Sequence, residues 1–132
     1  MTPPDPIVVA AVVFVRDGHV LTVRKQGTSR FMLVGGKLEA GESALEAALR
    51  ETREEVGIEL PTAELLGEFV SEAANEPGHE LRSTVFLAST EQEPVPSGEI
   101  AEVRWSSLRD VDDDLAPMLE HHVMPLLRAR GA

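Results

Sequence analysis

The sequence contains no cysteine and no tyrosine. Without thiols there are neither disulfides nor thiolate metal sites. Aromatic residues are scarce at 4%, with four Phe and one Trp. A platform for stacking a nucleobase therefore has to come from Phe31, Phe69, Phe86 or Trp105, several of which a core must claim, or be absent. Basic charge is short as well: 12 Lys and Arg stand against 23 Asp and Glu, a formal net charge of −11. That excludes a nucleic-acid polymer, which needs a basic footprint. It leaves room for a small phosphorylated ligand whose charge a metal ion offsets. No apolar run is long enough for a bilayer. Ile7 to Val15 is short, and the segment before it is Pro-rich and acidic rather than basic, so neither a signal peptide nor a membrane partner is expected. A cytoplasmic location is the default.

What is present begins with enough chain for one domain, expected to span 1–132. A chain of 132 residues buries roughly two-thirds of its unfolded surface. Ile7 to Val15 reads as a buried strand from its β-branched content, and Asp17-Gly18 as the hairpin turn to a partner strand, His19 to Arg24. Phe31 to Val34 is read as a short strand that delivers the chain to a Gly35-Gly36-Lys37 turn. Leu65 to Ser71 and Leu81 to Ser89 read as two further strands, around a loop containing Asn75, Glu76, Pro77 and Gly78. Glu91 to Gly98 is a loop with Pro and Glu, and Val103 to Trp105 a last short strand. Ala116 to Arg130 carries helical apolar spacing, with Pro125 breaking or kinking it. No repeats or low-complexity segments occur.

The most informative segment is Gly36 to Ile58. Ser43 and Glu46 form a capping box, so a helix starts near Ala44. Leu45, Leu49, Thr52 and Val56 recur as one stripe and are read as the core face. Ala44, Ala47 and Ala48 continue the face that carries the glutamates, where small side chains let a loop pack close. Gly57 sits where a left-handed residue ends a helix. Glu51, Glu54 and Glu55 crowd the last two turns. Like charges at this spacing cost about 0.2–0.5 kcal/mol per pair, and the negative end of the helix dipole adds to the penalty. Such a cluster calls for a cation, and oxygen-only donors suit a hard divalent ion such as Mg²⁺ or Mn²⁺. Arg50, four residues from both Glu46 and Glu54, is read as pairing with both and orienting the cluster.

This segment resembles the Nudix box, G-x5-E-x7-R-E-U-x-E-E-x-G-U with U a bulky aliphatic residue. It matches at Gly36, Glu42, Arg50, Glu51, Glu54, Glu55, Gly57 and Ile58. Thr52 departs from the first U, and Val34 stands where many members have Pro before the double glycine. The resemblance to this MutT-like hydrolase family implies an α/β/α sandwich, a mixed sheet between the Nudix helix and a C-terminal helix. It also implies Mg²⁺- or Mn²⁺-dependent hydrolysis of a diphosphate bond in a nucleoside diphosphate linked to another moiety. Carried onto this chain, the metal ligands are Gly36, through its carbonyl, and Glu51, Glu54 and Glu55. Glu54, Glu51 and Arg50 are the catalytic candidates, with the identity of the base left open. Some members add a carboxylate from the region of Glu99 and Glu102, where a solvated acid is the competing reading. Many members are dimers, but no stripe in this sequence assigns an interface.

On the substrate side, Gly35 and Gly36 offer unobstructed backbone N–H groups for an anion. Lys37 and Arg24 are candidate phosphate contacts, each weighed against an ordinary surface role. Glu42 has two readings, charge at a helix N-terminus or a direct role in the site. Asp110, Asp112, Asp113 and Asp114 are read as a solvated run. Family markers help by failing. The tyrosine associated with diadenosine polyphosphate hydrolases does not exist here, and Pro77 lies too far downstream for the ADP-ribose pyrophosphatase proline. The coenzyme A motif is not completed by Leu21-Thr22-Val23-Arg24. The residual reading is a house-cleaning nucleoside triphosphate pyrophosphohydrolase. ADP-ribose or a nucleotide sugar is the alternative substrate, and a non-catalytic nucleotide-binding or regulatory module the alternative function.

Overall fold

The computed structural model describes residues 4–74 and 76–132, so Asn75 in the expected inter-strand loop lies outside the described residues. The elements are β1 (Ile7–Arg16), β2 (His19–Lys25), β3 (Val34–Lys37), α1 (Ala44–Val56), β4 (Glu64–Glu72), β5 (Glu80–Ala88) and β6 (Ile100–Ser107). A π-turn (Leu119–Val123) then leads into α2 (Met124–Ala129). The six strands form one mixed sheet in the order β4-β5-β1-β2-β6, with β3 paired to β1.

Strand β1 explains the layering. Its β-branched run is buried on both faces, as expected of a central strand with a parallel neighbour. Ala10, Val12 and Phe14 pack with Ala47, Ala48 and Val56 of α1. Ala11 and Val13 point the other way, to Leu119, Val123 and Met124. The result is the expected α/β/α sandwich. Strand β1 runs parallel to β5 from Ile7↔Leu81 to Phe14↔Ala88. Asp17 and Gly18 both have positive φ, 50° and 75°, as a two-residue hairpin turn demands. Strands β1 and β2 pair only at Val15↔Val20 and Arg16↔His19. Beyond that, β2 pairs with β6, and β3 lies beside β1 from Val9↔Lys37 to Val12↔Val34.

Two expectations are corrected here. Phe31 to Val34 is not a continuous strand: Phe31 and Met32 make isolated bridges to Leu115 and Val23, and the strand proper starts at Val34. Nor is Gly35-Gly36-Lys37 a turn. Both glycines lie inside β3, opposite Ala11 and Ala10, and neither has a positive φ. Gly35 is required by proximity, since a Cβ there would lie 2.3 Å from the Ala10 carbonyl oxygen and 2.8 Å from the Ala11 Cβ.

Helix α1 starts and stops as its sequence dictates. Ser43 Oγ accepts from Glu46 N–H at 3.1 Å and Glu46 Oε1 from Ser43 N–H at 2.9 Å. Gly57, at φ 70°, sends its N–H to the Arg53 carbonyl. The buried face is rotated from the expected one: Ala47, Ala48, Thr52, Glu55 and Val56 are buried, whereas Leu45 and Leu49 are only partly covered. The alanines admit the sheet itself rather than a loop. Thr52 is accommodated because its hydroxyl donates to the Ala48 carbonyl at 2.7 Å. Past the helix, Val95 and Ser97 donate to the Val56 and Glu55 carbonyls at 3.0 and 2.9 Å. The Pro-bearing loop thereby caps helix carbonyls that would otherwise lack partners.

Strand β6 exceeds its expected three residues because it pairs with β2 along nearly its whole length. The kink expected at Pro125 takes the form of the π-turn. The Met124 N–H reaches back to the Leu119 carbonyl, one residue before Pro125, which has no N–H to give. Among the described residues no helix is long and apolar enough to cross a membrane.

Candidate active site

The contact between β3 and α1 creates the site. At Gly36 a Cβ would sit 2.6 Å from Glu51 Cδ, so the Glu51 carboxylate lies against bare strand backbone. One residue earlier the Gly35 N–H donates to Glu55 Oε1 at 3.0 Å. That N–H is committed to a side chain and is not an open anion nest. Glu55 is only 6% exposed. Burial pushes its carboxyl up to about 8, opposed by the Gly35 N–H and reinforced by the charges of Glu51 and Glu99. The carboxylate cluster is therefore layered, with Glu55 beneath the strand and the Glu54 side chain 53% exposed.

Arg50 connects these groups. Its Nε and Nη2 grip Glu42 at 2.7 and 2.9 Å, and Nη1 donates to Glu51 Oε1 at 2.7 Å and Glu54 Oε2 at 3.1 Å. Nη2 also donates to the Lys37 carbonyl at 3.1 Å. The expected partner Glu46 is used in the capping box instead, and Glu42, from the turn before the helix, takes its place. The Glu42 pair is bidentate, the strongest form of such contacts. The Arg50 guanidinium holds Glu42 down to about 2, and Glu42, more than any other neighbour, keeps Arg50 firmly protonated.

Arg50, Glu51 and Lys37 border a cleft of about 480 Å³, whose lining does not include Glu42, Glu54 or Glu55. Its charged lining includes Lys25, Lys37, Arg50, Glu51, Glu76 and Glu99. Lys37 Nζ lies 3.5 Å from Glu76. Of the two acids near the last strand, Glu99 lines the cleft, whereas Glu102 does not and is paired with Arg24 at 2.9 Å. Arg24 also donates to the Thr28 carbonyl at 2.9 Å and is likewise outside the lining. Gly35 and Gly36 form part of the wall. Lys25, read from the sequence as either a phosphate contact or a residue relieving the acidity, lines the cleft, as does Glu76, which was not singled out because its position depends on which strands become neighbours.

The fit to a divalent cation rests on donor chemistry. Glu51, Glu54 and the Gly36 backbone offer hard oxygen atoms only, which suits Mg²⁺ or Mn²⁺. Among the described residues no three acidic or imidazole side chains converge into a ready cage. The reason is local: Arg50 Nη1 is shared between Glu51 and Glu54, and Glu55 is turned to Gly35.

None of the aromatic candidates lines the cleft among the described residues. Phe31 and Phe86 belong to the core, and Trp105 lies under the Arg16 guanidinium at 4.6 Å.

The model of the NUDIX domain matches residues 4–127. The uncharacterized Nudix hydrolase YvcI of Bacillus subtilis (strain 168) is 26% identical over 119 residues, covering 87% of this chain and 75% of that protein. Among solved structures, a MutT NUDIX hydrolase from Burkholderia pseudomallei has 26% identity and a TM-score of 0.76, with 98% of this chain and 100% of that one covered. The MutT protein from Methanosarcina mazei Go1 superposes with a TM-score of 0.83 at 22% identity, over 99% and 100% of the two chains. That likeness speaks for the fold alone.

Proposed function

This chain belongs to the Nudix family and is a hydrolase of pyrophosphate bonds, and we propose that it acts with Mg²⁺ or Mn²⁺ on a nucleoside diphosphate linked to another moiety, in the first instance a nucleoside triphosphate. On this reading residues 1–132 work as one domain. The carrying observation is the Arg50 fork, which joins Glu51 at 2.7 Å and Glu54 at 3.1 Å beside the backbone of Gly36.

Glu51, Glu54, Glu55 and the Gly36 carbonyl would hold the cation. When bound, it would offset phosphate charge and make a coordinated water more acidic. The residues of the chain supply the rest. Arg50 fixes the orientation of Glu51 and Glu54, and is itself fixed by Glu42. Glu54, more than half exposed, is the carboxylate best placed to take a proton from the attacking water. Glu55, whose carboxyl is pushed up to about 8 by burial, must surrender its proton before both its oxygens can serve as donors. Lys37 and Lys25 border the same cleft and can meet phosphate oxygens. The net charge of −11 favours a small substrate over a polymer.

The test is to incubate the protein with nucleoside triphosphates, ADP-ribose and nucleotide sugars, with and without Mg²⁺, and to identify the products. Metal-dependent cleavage at a diphosphate bond is expected. No product from any of them would leave a nucleotide-binding module in its place.

A further inference from the structure

The acidic run near the C-terminal helix is not simply solvated. Arg104 on β6 donates to Asp114 through Nη2 at 2.7 Å and Nη1 at 3.0 Å, and Nη2 also lies 3.2 Å from Asp112. The guanidinium carbon stands 3.6 Å from the centre of the Phe31 ring. Its Nε donates to Ser106 Oγ at 3.2 Å, and that hydroxyl shares a buried 2.8 Å hydrogen bond with Thr22.

Arg104 thus joins two segments that are already stitched together. The Phe31 N–H donates to the Asp114 carbonyl and the Ala116 N–H to the Phe31 carbonyl, both at 2.8 Å. Arg30 Nη1 adds a bond to the Leu115 carbonyl at 2.9 Å. One segment continues into Met32 and Leu33, the other into Ala116 and Met118, and all four line the cleft. They form part of its apolar lining, beside the charged part that contains Glu51 and Lys37.

We propose that Arg104 is a positioning residue, which sets the shape of this apolar part of the cleft wall and through it the binding of the substrate. The proposal rests on the pyrophosphohydrolase reading. Aliphatic and thioether surface adapts to a flat or an aliphatic group alike. Its shape is set by a planar fork on one carboxylate with a ring beneath, a combination that an ammonium group does not reproduce. Arg104 does not line the cleft and has no hydrogen bond or ion pair to Arg50 or the α1 glutamates. Its loss therefore disturbs substrate binding and leaves the chemical step intact.

The experiment uses the whole chain and whichever substrate the wild type cleaves in the nucleotide panel. Arg104→Met raises KM about tenfold with kcat within about twofold, Arg104→Lys recovers little of this, and Asp114→Asn follows Arg104→Met. Circular dichroism and thermal melts report whether each variant folds. Should the Arg104 variants not fold, Met118→Ala tests the same surface without touching the clamp and also raises KM. Unchanged KM in folded Arg104→Met and in Met118→Ala, or a fall in kcat at constant KM, overturns the inference. An inactive wild type overturns the reading beneath it, a distinct result.

Discussion

Gly36 and Glu51 compete for one volume: a Cβ on Gly36 would lie 2.6 Å from Glu51 Cδ and 2.7 Å from its Oε2. Glycine is needed here for space, because the φ of residue 36 is not positive. Gly36→Ala must push Glu51 away from the strand. The displaced atoms are the far end of a flexible side chain, so the fold gives way at little cost, whereas misplacing a catalytic group by about 1 Å costs about 100-fold in rate. The expected outcome is a folded variant with a melting temperature close to that of the wild type and kcat/KM reduced about 100-fold. Thermal melts and steady-state kinetics check both.

Arg50 is predicted to be structural and catalytic at once. Its side chain is 15% exposed and reaches Glu42, Glu51 and Glu54. Arg50→Met leaves three carboxylates without their cation, which should cost about 2 kcal/mol or more and lower activity about 10- to 100-fold. Arg50→Lys restores charge but not the bidentate geometry, so it should recover stability better than rate. Denaturant midpoints and kcat for the two variants separate these effects.

Glu55 and Glu42 act on stability in opposite pH ranges. The fold raises Glu55 from 4.5 to about 8 through burial, so it favours the protonated form. That contribution is whole below pH 4.5 and is lost as pH rises toward 8. The fold lowers Glu42 from 4.5 to about 2 through Arg50, so that contribution is present above 4.5 and lost as pH falls toward 2. In EDTA the protein should melt at a lower temperature at pH 8 than at pH 5. Each pKa unit at Glu55 is worth about 1.4 kcal/mol. Glu55→Gln should flatten this dependence and be the more stable protein at pH 8. An unchanged slope in the variant would remove Glu55 as its cause.

The legible parts of the fold were those decided by neighbours in sequence. Ser43 and Glu46 cap α1, Gly57 ends it, and Asp17-Gly18 makes the hairpin, because each depends on a few consecutive dihedral angles and hydrogen bonds. The illegible parts were set by strand register and tertiary approach. Gly35 and Gly36 read as a turn, yet β1 supplies Ala10 and Ala11 as pairing partners. Leu45 and Leu49 read as core, yet the sheet approaches the smaller Ala47 and Ala48, which leaves the leucines at the margin. Glu42 and Glu46 are both spaced to reach Arg50, and only the claim of the capping box on Glu46 decides between them. For the candidate site, the residue types on α1 could be read. The burial of Glu55, the bond from Gly35 and the pairing of Arg24 with Glu102 required the fold.

The most direct measurement follows one substrate through three conditions: wild type in EDTA, wild type with Mg²⁺ restored, and Glu54→Gln with Mg²⁺. The account predicts no cleavage of the diphosphate bond in the first, full cleavage in the second, and in the third cleavage slower by about 100- to 10,000-fold, the usual range for a lost acid or base, with the variant folded by its thermal melt. Equal turnover in EDTA, or full activity in Glu54→Gln, would contradict it.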